Sequence, residues 1–149
     1  MKLTMLRVFA LLVGLSLTAA SVAEDIFMTR TQQTFPEAML ELQQKIKSHG
    51  YTLSRVQRVD IGLTKSGYKT DKYRVVFFGK AEEIKWVGDT YPEWVPYLPL
   101  KIAIFSEAQD TLLITSDPEK IFFSEDAKFK KIISQWKKDI SSIFHEMAD

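Results

Sequence analysis

Apolar side chains follow a helical period most clearly at the C-terminal end of the chain. From Phe129 to Met147 they recur every three or four positions, which is the spacing of an amphipathic α-helix. Ser124 or Asp126 precedes this run and can cap the first turn. The pattern predicts a long final helix that packs across a sheet. Its apolar stripe consists of Phe129, Ile132, Ile133, Trp136, Ile140, Ile143, Phe144 and Met147.

A second helical pattern begins after Thr34. Thr34 and Glu37 have the Thr-x-x-Glu spacing of a capping box, and Pro36 lies in the first turn, where its missing N–H breaks no hydrogen bond. Gly50 can end the helix in a left-handed conformation. The pattern predicts a first helix whose buried side is made of Phe35, Ala38, Met39, Leu42 and Ile46.

The other apolar runs have the alternation or the β-branched composition that is typical of strands. Five strands are predicted: Ile26–Gln32, Tyr51–Ile61, Tyr73–Phe78, Leu100–Phe105 and Thr111–Thr115. The second changes parity and is expected to carry a bulge, whereas the third is apolar on both parities and is expected to be central and buried on both faces. The polar stretch Gly62–Lys72 is expected to connect a hairpin, and the last two strands to form another.

The order strand, helix, four strands, helix predicts an α+β domain. We expect a mostly antiparallel, curved sheet that is covered on one face by helices, with the long C-terminal helix packed on it. No internal repeat interrupts this order, so a single domain is expected for the folded part of the chain.

Residues 1–23 have the three parts of a secretory signal peptide. A short basic start ends at Arg7, Val8–Ala20 is apolar, and small residues at positions 21 and 23 precede the acidic Glu24. We expect cleavage after Ala23, a mature domain of residues 24–149, and a periplasmic or secreted location in a bacterium. No cysteine follows the cleavage point, which argues against a lipid anchor, and no membrane attachment is expected after cleavage.

Composition and charge narrow the class of protein. The chain is 46% hydrophobic and 26% charged and has no cysteine, so an ordinary domain held together by packing alone is expected. Residues 1–23 contain two of the 20 bases and none of the 19 acids, so cleavage changes the formal charge from +1 to about −1. Residues 55–85 hold eight bases against four acids. Because export removes the protein from nucleic acid, no nucleic-acid partner is predicted.

The sequence contains no motif of a known catalytic or cofactor site. It lacks the glycine-rich phosphate-binding patterns and the Gly-x-Ser-x-Gly elbow, and neither His49 nor His145 has a partner at metal-ligand spacing. The adjacent carboxylates Glu82 and Glu83 are expected to be solvated. We therefore predict no catalytic residue, no metal and no cofactor. A weaker alternative is an enzyme with a site around Tyr91, Glu93, Asp89 and Arg74.

The segment Ile84–Leu100 is rich in aromatic residues and proline. Its prolines at positions 92, 96 and 99 argue against a regular helix or a central strand. Aromatic side chains with a polar atom are common in binding loops, but they also seal the ends of cores. The segment is therefore either a lid over the core or a docking surface. Together with two residues from elsewhere in the chain, the candidate ligand-binding residues are Trp86, Tyr91, Trp94, Tyr97, Trp136 and Arg74.

Several short motifs, taken in order, resemble a known bacterial family. They are Thr34-Phe35-Pro36-Glu37-Ala38, Gly50-Tyr51, the run from Tyr73 to Gly79, Leu98-Pro99 and Ser116-Asp117-Pro118. Their order and spacing resemble the domain-of-unknown-function family 302 from about Ile26 to Phe123. The resemblance implies a fold like that of the TATA-binding protein and implies no established activity. Leu100 stands where many relatives carry cysteine, so thiol or metal chemistry is not implied here.

Two functions from different classes are consistent with these features. The first is a non-enzymatic exported protein that binds a small apolar or amphipathic ligand between the long helix and the concave sheet. It rests on the aromatic segment and on the apolar stripe of the final helix. The second is a homodimeric protein-interaction module of the periplasm. It would use an exposed sheet face or edge, where Phe105 shares its parity with Lys101 and Ala103.

Overall fold

The computed structural model describes residues 25–148 of the chain. The predicted signal peptide, residues 1–23, lies outside the described residues. The strands in the described part are β1 (Ile26–Thr31), β2 (Thr52–Arg58), β3 (Tyr73–Gly79), β4 (Leu100–Glu107) and β5 (Asp110–Ser116). The α-helices there are α1 (Phe35–Ser48), α2 (Val59–Lys65), α3 (Ala81–Thr90), α4 (Pro118–Ile121) and α5 (Ala127–Met147), and a 3-10 helix covers Pro92–Tyr97.

The five strands form one sheet in the order β1-β5-β4-β3-β2, and every neighbouring pair is antiparallel. This confirms the predicted α+β class and the β4–β5 hairpin, in which Glu107 pairs with Asp110. The register of β2 shifts between Leu53 and Arg55, where the change of parity predicts a bulge. β3 has a neighbour on each side, but the middle strand is β4 rather than β3.

One face of the sheet packs against α1 and α5. Phe27 of β1 contacts Phe144 of α5 with ring centroids 6.0 Å apart. Four fully buried side chains on β3 and β4 belong to the same core: Val76, Phe78, Ile102 and Ile104. Val75 and Phe77 are only half-buried because they point away from these helices. The prediction that β3 is buried on both faces is therefore wrong.

The short α-helices α2, α3 and α4 and the 3-10 helix are not predicted by the sequence pattern. α2 begins at Val59, inside the segment predicted as a strand and a polar connection. α3 occupies the first part of the segment Ile84–Leu100, which is predicted to be irregular. That prediction is wrong because all of its prolines follow Thr90, so they terminate α3 without interrupting it.

The two long helices begin at the predicted caps. An oxygen of Asp126 accepts a hydrogen bond from the N–H of Phe129 at 2.8 Å, so Asp126 rather than Ser124 caps α5. At the start of α1, the Glu37 carboxylate accepts hydrogen bonds from the hydroxyl and the backbone N–H of Thr34 at 2.6 and 3.0 Å. These hydrogen bonds lower the pKa of Glu37.

Gly50 ends α1 with a φ of +82°, a conformation that L-residues with a side chain rarely adopt. Its N–H donates to the carbonyl of Lys47 at 2.9 Å, and the N–H of Tyr51 donates to the carbonyl of Ile46 at 3.2 Å. We expect Gly50→Ala to lower the free energy of unfolding by about 1–2 kcal/mol because alanine is strained in this conformation. Urea-induced unfolding measures the change.

Gly62→Ala is the matched control for Gly50→Ala. Gly62 lies within α2, and an added Cβ there would come within 4 Å of nothing except its chain neighbours and the backbone of its own helix. We expect this change to raise the free energy of unfolding by about 0.5–1 kcal/mol because glycine weakens helices. Changes of the same sign in both variants would contradict the role assigned to the positive φ of Gly50.

Candidate binding cleft beside the C-terminal helix

A cleft of about 1000 Å³ opens between the 3-10 helix, the segment that follows α4, and the first half of α5. This volume is at the upper end of the range that is common for small-molecule sites. The cleft is lined by Tyr91, Glu93, Trp94, Tyr97, Glu119, Phe122, Phe123, Ser124, Glu125, Lys130, Ile133 and Ser134.

Four aromatic residues, Trp94, Tyr97, Phe122 and Phe123, form what we call the aromatic wall of the cleft. The ring centroid of Trp94 lies 5.7 Å from Tyr97, 5.6 Å from Phe122 and 5.1 Å from Phe123. The corresponding interplanar angles are 61°, 63° and 82°, so the rings meet edge to face. Phe122 is buried, whereas Tyr97 is 53% exposed and Phe123 is 76% exposed. The wall thus has a packed base and an accessible edge.

Phe122 anchors the aromatic wall to the core. Its ring centroid lies 5.3 Å from Trp136 and 6.3 Å from Phe129, two buried residues of α5. Tyr91 stacks on Phe129 with a centroid distance of 5.1 Å and an interplanar angle of 15°. Because buried rings in such contacts have few alternative positions, the wall is fixed by the core beneath it.

A carboxylate on α3 holds the same part of α5 in place. The indole Nε1–H of Trp136 donates a hydrogen bond to Glu83 at 2.8 Å. The prediction that Glu82 and Glu83 are both solvated is therefore correct for Glu82, which is exposed, and wrong for Glu83. The hydrogen bond satisfies the one polar group of a tryptophan that is otherwise buried among apolar side chains.

Acidic side chains surround the aromatic wall. The cleft lining contains three glutamates and one lysine. Lys137 Nζ lies 2.7 Å from Glu119 and 2.9 Å from Asp117, and Lys130 Nζ lies 2.8 Å from Glu125. The hydrogen bonds that Lys137 donates to Glu119 and Asp117 raise the pKa of Lys137. The hydrogen bond from Lys130 lowers the pKa of Glu125. Both lysines are thus committed to neighbouring carboxylates.

Glu93 is the remaining acidic residue of the lining. It directly precedes Trp94 on the 3-10 helix, and its side chain is exposed. Within residues 25–148 it has no hydrogen bond and no ion pair. Its negative charge is therefore available to a ligand that enters the cleft beside the aromatic wall.

Five of the six predicted ligand-binding residues belong to the cleft or to the layer behind it. Trp86 and Trp136 do not line the cleft but support it, with ring centroids 6.2 and 6.3 Å from Phe129. The residues that line it are Tyr91, Trp94 and Tyr97.

Arg74 lies away from the cleft. Its guanidinium donates to the carboxylate of Asp60 and to the carbonyl of Tyr73, and it lies over the ring of Phe35 at 5.8 Å from the centroid. The hydrogen bond from Arg74 lowers the pKa of Asp60. These contacts join β3 to α2 and to the start of α1, so the structure gives Arg74 a position in the fold and none in the cleft lining.

Phe122 and Phe123 are not among the site residues that the sequence pattern predicts. The signal that points to them is their position after Asp117-Pro118, where two adjacent phenylalanines fit neither the preceding hairpin nor the stripe of α5. The cleft also lies beside α5 rather than between α5 and the sheet. That interior space is filled by side chains of the helix itself, among them Trp136, Ile140 and Ile143.

A second cluster of titratable side chains joins the second half of α5 to the C-terminal end of α1. The buried carboxylate of Asp139 accepts hydrogen bonds from the Tyr51 hydroxyl at 2.7 Å and from Gln135 Nε2 at 2.8 Å. Lys80 Nζ lies 3.8 Å from the same carboxylate. Burial and the Asp139 carboxylate raise the pKa of Tyr51 far above its ordinary value, so the hydroxyl stays protonated and donates.

Glu146 extends this cluster toward solvent and is expected to make the free energy of unfolding depend on pH in the acidic range. The Glu146 carboxylate lies 2.9 Å from His49 Nε2 and 3.1 Å from Lys45 Nζ, and these contacts lower its pKa from 4.5 to about 2. A carboxyl group whose pKa is lower in the folded state stabilises the fold above pH 4.5. That contribution is lost as the pH falls from 4.5 to about 2.

The variant Glu146→Gln tests this pH dependence. We expect the free energy of unfolding of the unmodified protein to fall more steeply than that of the variant between pH 4.5 and about 2. Urea titrations at a series of pH values measure both curves. Parallel curves across this interval would show that Glu146 contributes nothing to acid sensitivity.

Within residues 25–148, no three His, Cys, Asp or Glu side chains are grouped so that they could hold a metal ion. In the same part of the chain, no helix is both long enough and apolar enough to cross a membrane. Of the two histidines, His49 contacts Glu146 and His145 is exposed on α5.

Comparison with known proteins identifies the family. The fold matches the crystal structure of an uncharacterized conserved protein DUF302 from Bacillus stearothermophilus with a TM-score of 0.74. The match covers 85% of this chain and 100% of that chain at 16% sequence identity, which shows a shared fold alone. No curated protein matches the chain significantly. Residues 27–147 match the family described as "Domain of unknown function DUF302", and the chain therefore belongs to that family, as the order of its motifs predicts.

Proposed function

We propose that the protein is a non-enzymatic, exported binding protein for a small apolar or amphipathic ligand, which it holds in the cleft beside α5. The observation that carries this proposal is the aromatic wall. Tyr97 and Phe123 expose large apolar rings next to a cleft of about 1000 Å³, although their neighbour Phe122 is packed into the core. Covering such rings with a ligand removes apolar surface from water, at about 25 cal/mol for each Å².

An uncharged fluorescent probe, N-phenyl-1-naphthylamine, tests whether the cleft binds apolar molecules. We expect its emission to rise saturably with added protein. The double variant Tyr97→Ser/Phe123→Ser should weaken binding by about thirtyfold, because each change removes apolar contact area worth on the order of 1 kcal/mol. Both residues are exposed, so the variant keeps the core intact.

Tyr68→Ser is the matched control because Tyr68 is also an exposed aromatic residue, 65% exposed, but lies outside the cleft lining. We expect this variant to bind the probe as the unmodified protein does. If the folded protein shows no saturable signal, or if all three proteins bind equally, the cleft is not the binding site and the proposal fails.

The exported state rests on the signal-peptide pattern of residues 1–23. We expect protein isolated from the periplasm of an expressing bacterium to begin at Glu24. The intact mass, measured by mass spectrometry, distinguishes this form from the full chain. A full-length protein that stays with the cytoplasmic fraction would contradict export.

The second candidate function is a homodimeric interaction module, and the uncovered face of the sheet favours it. Val75, Ala103 and Ile114 lie side by side across β3, β4 and β5, and Phe105 and Tyr73 meet edge to face at 6.1 Å beside them. Together with a shallow depression of about 330 Å³, they form an apolar surface that two copies could bury against each other.

Light scattering measures whether this surface dimerises. We expect a dimer at high concentration that Ala103→Glu converts to a monomer, because the change places an unpaired charge in the middle of the contact. Thr64→Glu, on an exposed position of α2, is the control because it also adds one negative charge. A monomer at every concentration would remove this candidate and leave the ligand-binding proposal unaffected.

A further inference from the structure

We infer that the ligand of the cleft carries a positive charge: it is an amphipathic organic cation, with an ammonium head group and an aliphatic body. This inference rests on the proposed function and specifies the ligand class of the same cleft. Its two supports are the geometry of the aromatic wall and the charge of the residues around it. Either kind of group alone occurs on many protein surfaces, whereas here both line one cleft.

The aromatic wall has the geometry that favours an ammonium group. The ring planes of Tyr97 and Phe123 are inclined by 61° and 82° to the plane of Trp94. An edge-to-face contact covers only one face of a ring. The exposed fractions of Tyr97 (53%) and Phe123 (76%) leave ring surface that a group in the cleft can contact. A cation within about 6 Å of a ring centroid gains about 0.5–1 kcal/mol at an exposed site, and tryptophan is the best partner.

The charge of the lining is complementary to a cation. Three glutamates and one lysine line the cleft, and that lysine, Lys130, is paired with Glu125. Glu119 and Asp117 both pair with Lys137, so two negative charges are balanced there by one positive charge. Glu93 has no partner in the described chain, and it lines the same cleft as Trp94. The unpaired negative charge and the best cation–π ring therefore belong to one cleft.

An anionic or a neutral ligand would use the cleft less well. A carboxylate head group would approach Glu93 with like charge, and it would have to compete with Glu125 for Lys130. A neutral head group could pack on the rings and donate hydrogen bonds to Glu93, but it would lack the charge that adds the cation–π and ion-pair attraction. The structure thus ranks three ligands with the same tail, with the cation first, the neutral molecule second and the anion last.

Three probes with the same eight-carbon tail test this order: octyltrimethylammonium, octyl glucoside and octanoate, each below the concentration at which it forms micelles. Binding is followed by intrinsic tryptophan fluorescence and by isothermal titration calorimetry. We expect octyltrimethylammonium to bind about tenfold more tightly than octyl glucoside, from the combined cation–π and carboxylate contacts. Octanoate should bind most weakly. Added salt should weaken the binding of the cation and leave that of octyl glucoside nearly unchanged.

Glu93→Gln separates the charge from the shape of the cleft. We expect it to weaken the binding of octyltrimethylammonium by about two- to fivefold, as for the loss of one exposed ion pair, and to leave octyl glucoside unaffected. Glu82→Gln is the matched control, because Glu82 is also exposed but lies on α3 outside the cleft lining. Both positions are on the surface, so both variants are expected to fold.

The outcomes distinguish the two proposals. If none of the three probes binds, the proposed function itself fails. If octyl glucoside or octanoate binds as tightly as the cation, or if Glu93→Gln and Glu82→Gln behave alike, the cleft is an apolar site and the inference of a cationic ligand is overturned. If the cation binds most tightly and only Glu93→Gln weakens it, both proposals stand.

Discussion

Trp136→Ala is expected to lower the free energy of unfolding by about 3–5 kcal/mol, the range for removing a large aromatic side chain from a core. Trp136 is only 1% exposed, and its ring packs against Phe122 and Phe129. Its indole N–H also satisfies Glu83, which would lose a hydrogen bond at 2.8 Å. A domain of this size has a free energy of unfolding of about 5–15 kcal/mol, so the change would remove a large part of it.

Two further variants separate the contributions of Trp136. Trp136→Phe keeps an aromatic ring and loses the donor to Glu83, so a loss smaller than that of Trp136→Ala is expected. Lys138→Ala changes an exposed residue of the same helix and should stay within about 0.5 kcal/mol of the unmodified protein. Urea-induced unfolding followed by circular dichroism measures all three. A change of less than about 1 kcal/mol for Trp136→Ala would show that the packing around α5 is loose.

Asp139→Ala is expected to lower the free energy of unfolding by about 3–5 kcal/mol, because it removes the hydrogen-bond acceptor at the centre of a buried polar cluster. The Asp139 side chain is nearly inaccessible and accepts hydrogen bonds from Tyr51 at 2.7 Å and from Gln135 at 2.8 Å. Alanine would leave the Tyr51 hydroxyl without its partner, and Tyr51 is itself only 4% exposed. A buried donor that loses its acceptor destabilises a fold more than an exposed one, since water cannot replace the acceptor.

Asp89→Ala provides the comparison with an exposed aspartate. Asp89 forms an ion pair with Lys85 at 2.6 Å on the surface of α3, and such pairs contribute less than about 1 kcal/mol. A double-mutant cycle that combines Asp139→Ala with Tyr51→Phe tests the hydrogen bond between these two residues. The double variant should lower the free energy of unfolding by about 0.5–3 kcal/mol less than the sum of the two single variants. Additive losses would mean that Asp139 stabilises the fold without this hydrogen bond.

The parts of the fold that follow from sequence are those in which one period extends over many residues. The stripe of α5 and the caps at Thr34 and Asp126 specify their helices locally, so no knowledge of distant residues is needed. The short helices are different. α2 has no buried residue, so it packs no apolar side against the core. Its sequence therefore lacks the helical spacing of apolar residues that would predict it. α3 is followed closely by Pro92, which restricts the backbone of the preceding residue, Tyr91, and leaves Ala81–Thr90 free to be helical.

The cleft follows from sequence only in part, because a site is assembled from segments that are distant in the chain. Tyr91, Trp94 and Tyr97 are recognisable as one aromatic segment. Phe122 and Phe123 join them from a different segment, and no local pattern indicates that contact. The same limit applies to the pairing of Glu83 with Trp136 across 53 positions, which turns a carboxylate that looks solvated into a structural one.

The place of β1 in the sheet makes folding depend on contacts between the two ends of the domain. β1 is an edge strand whose partner is β5, so that Ile26 pairs with Ser116, and Phe27 is covered by Phe144 of the last helix. Its partner strand and its covering helix both come from the other end of the domain. Contacts between residues so distant in the sequence slow folding, because the chain must close a long loop before β1 can be paired and covered.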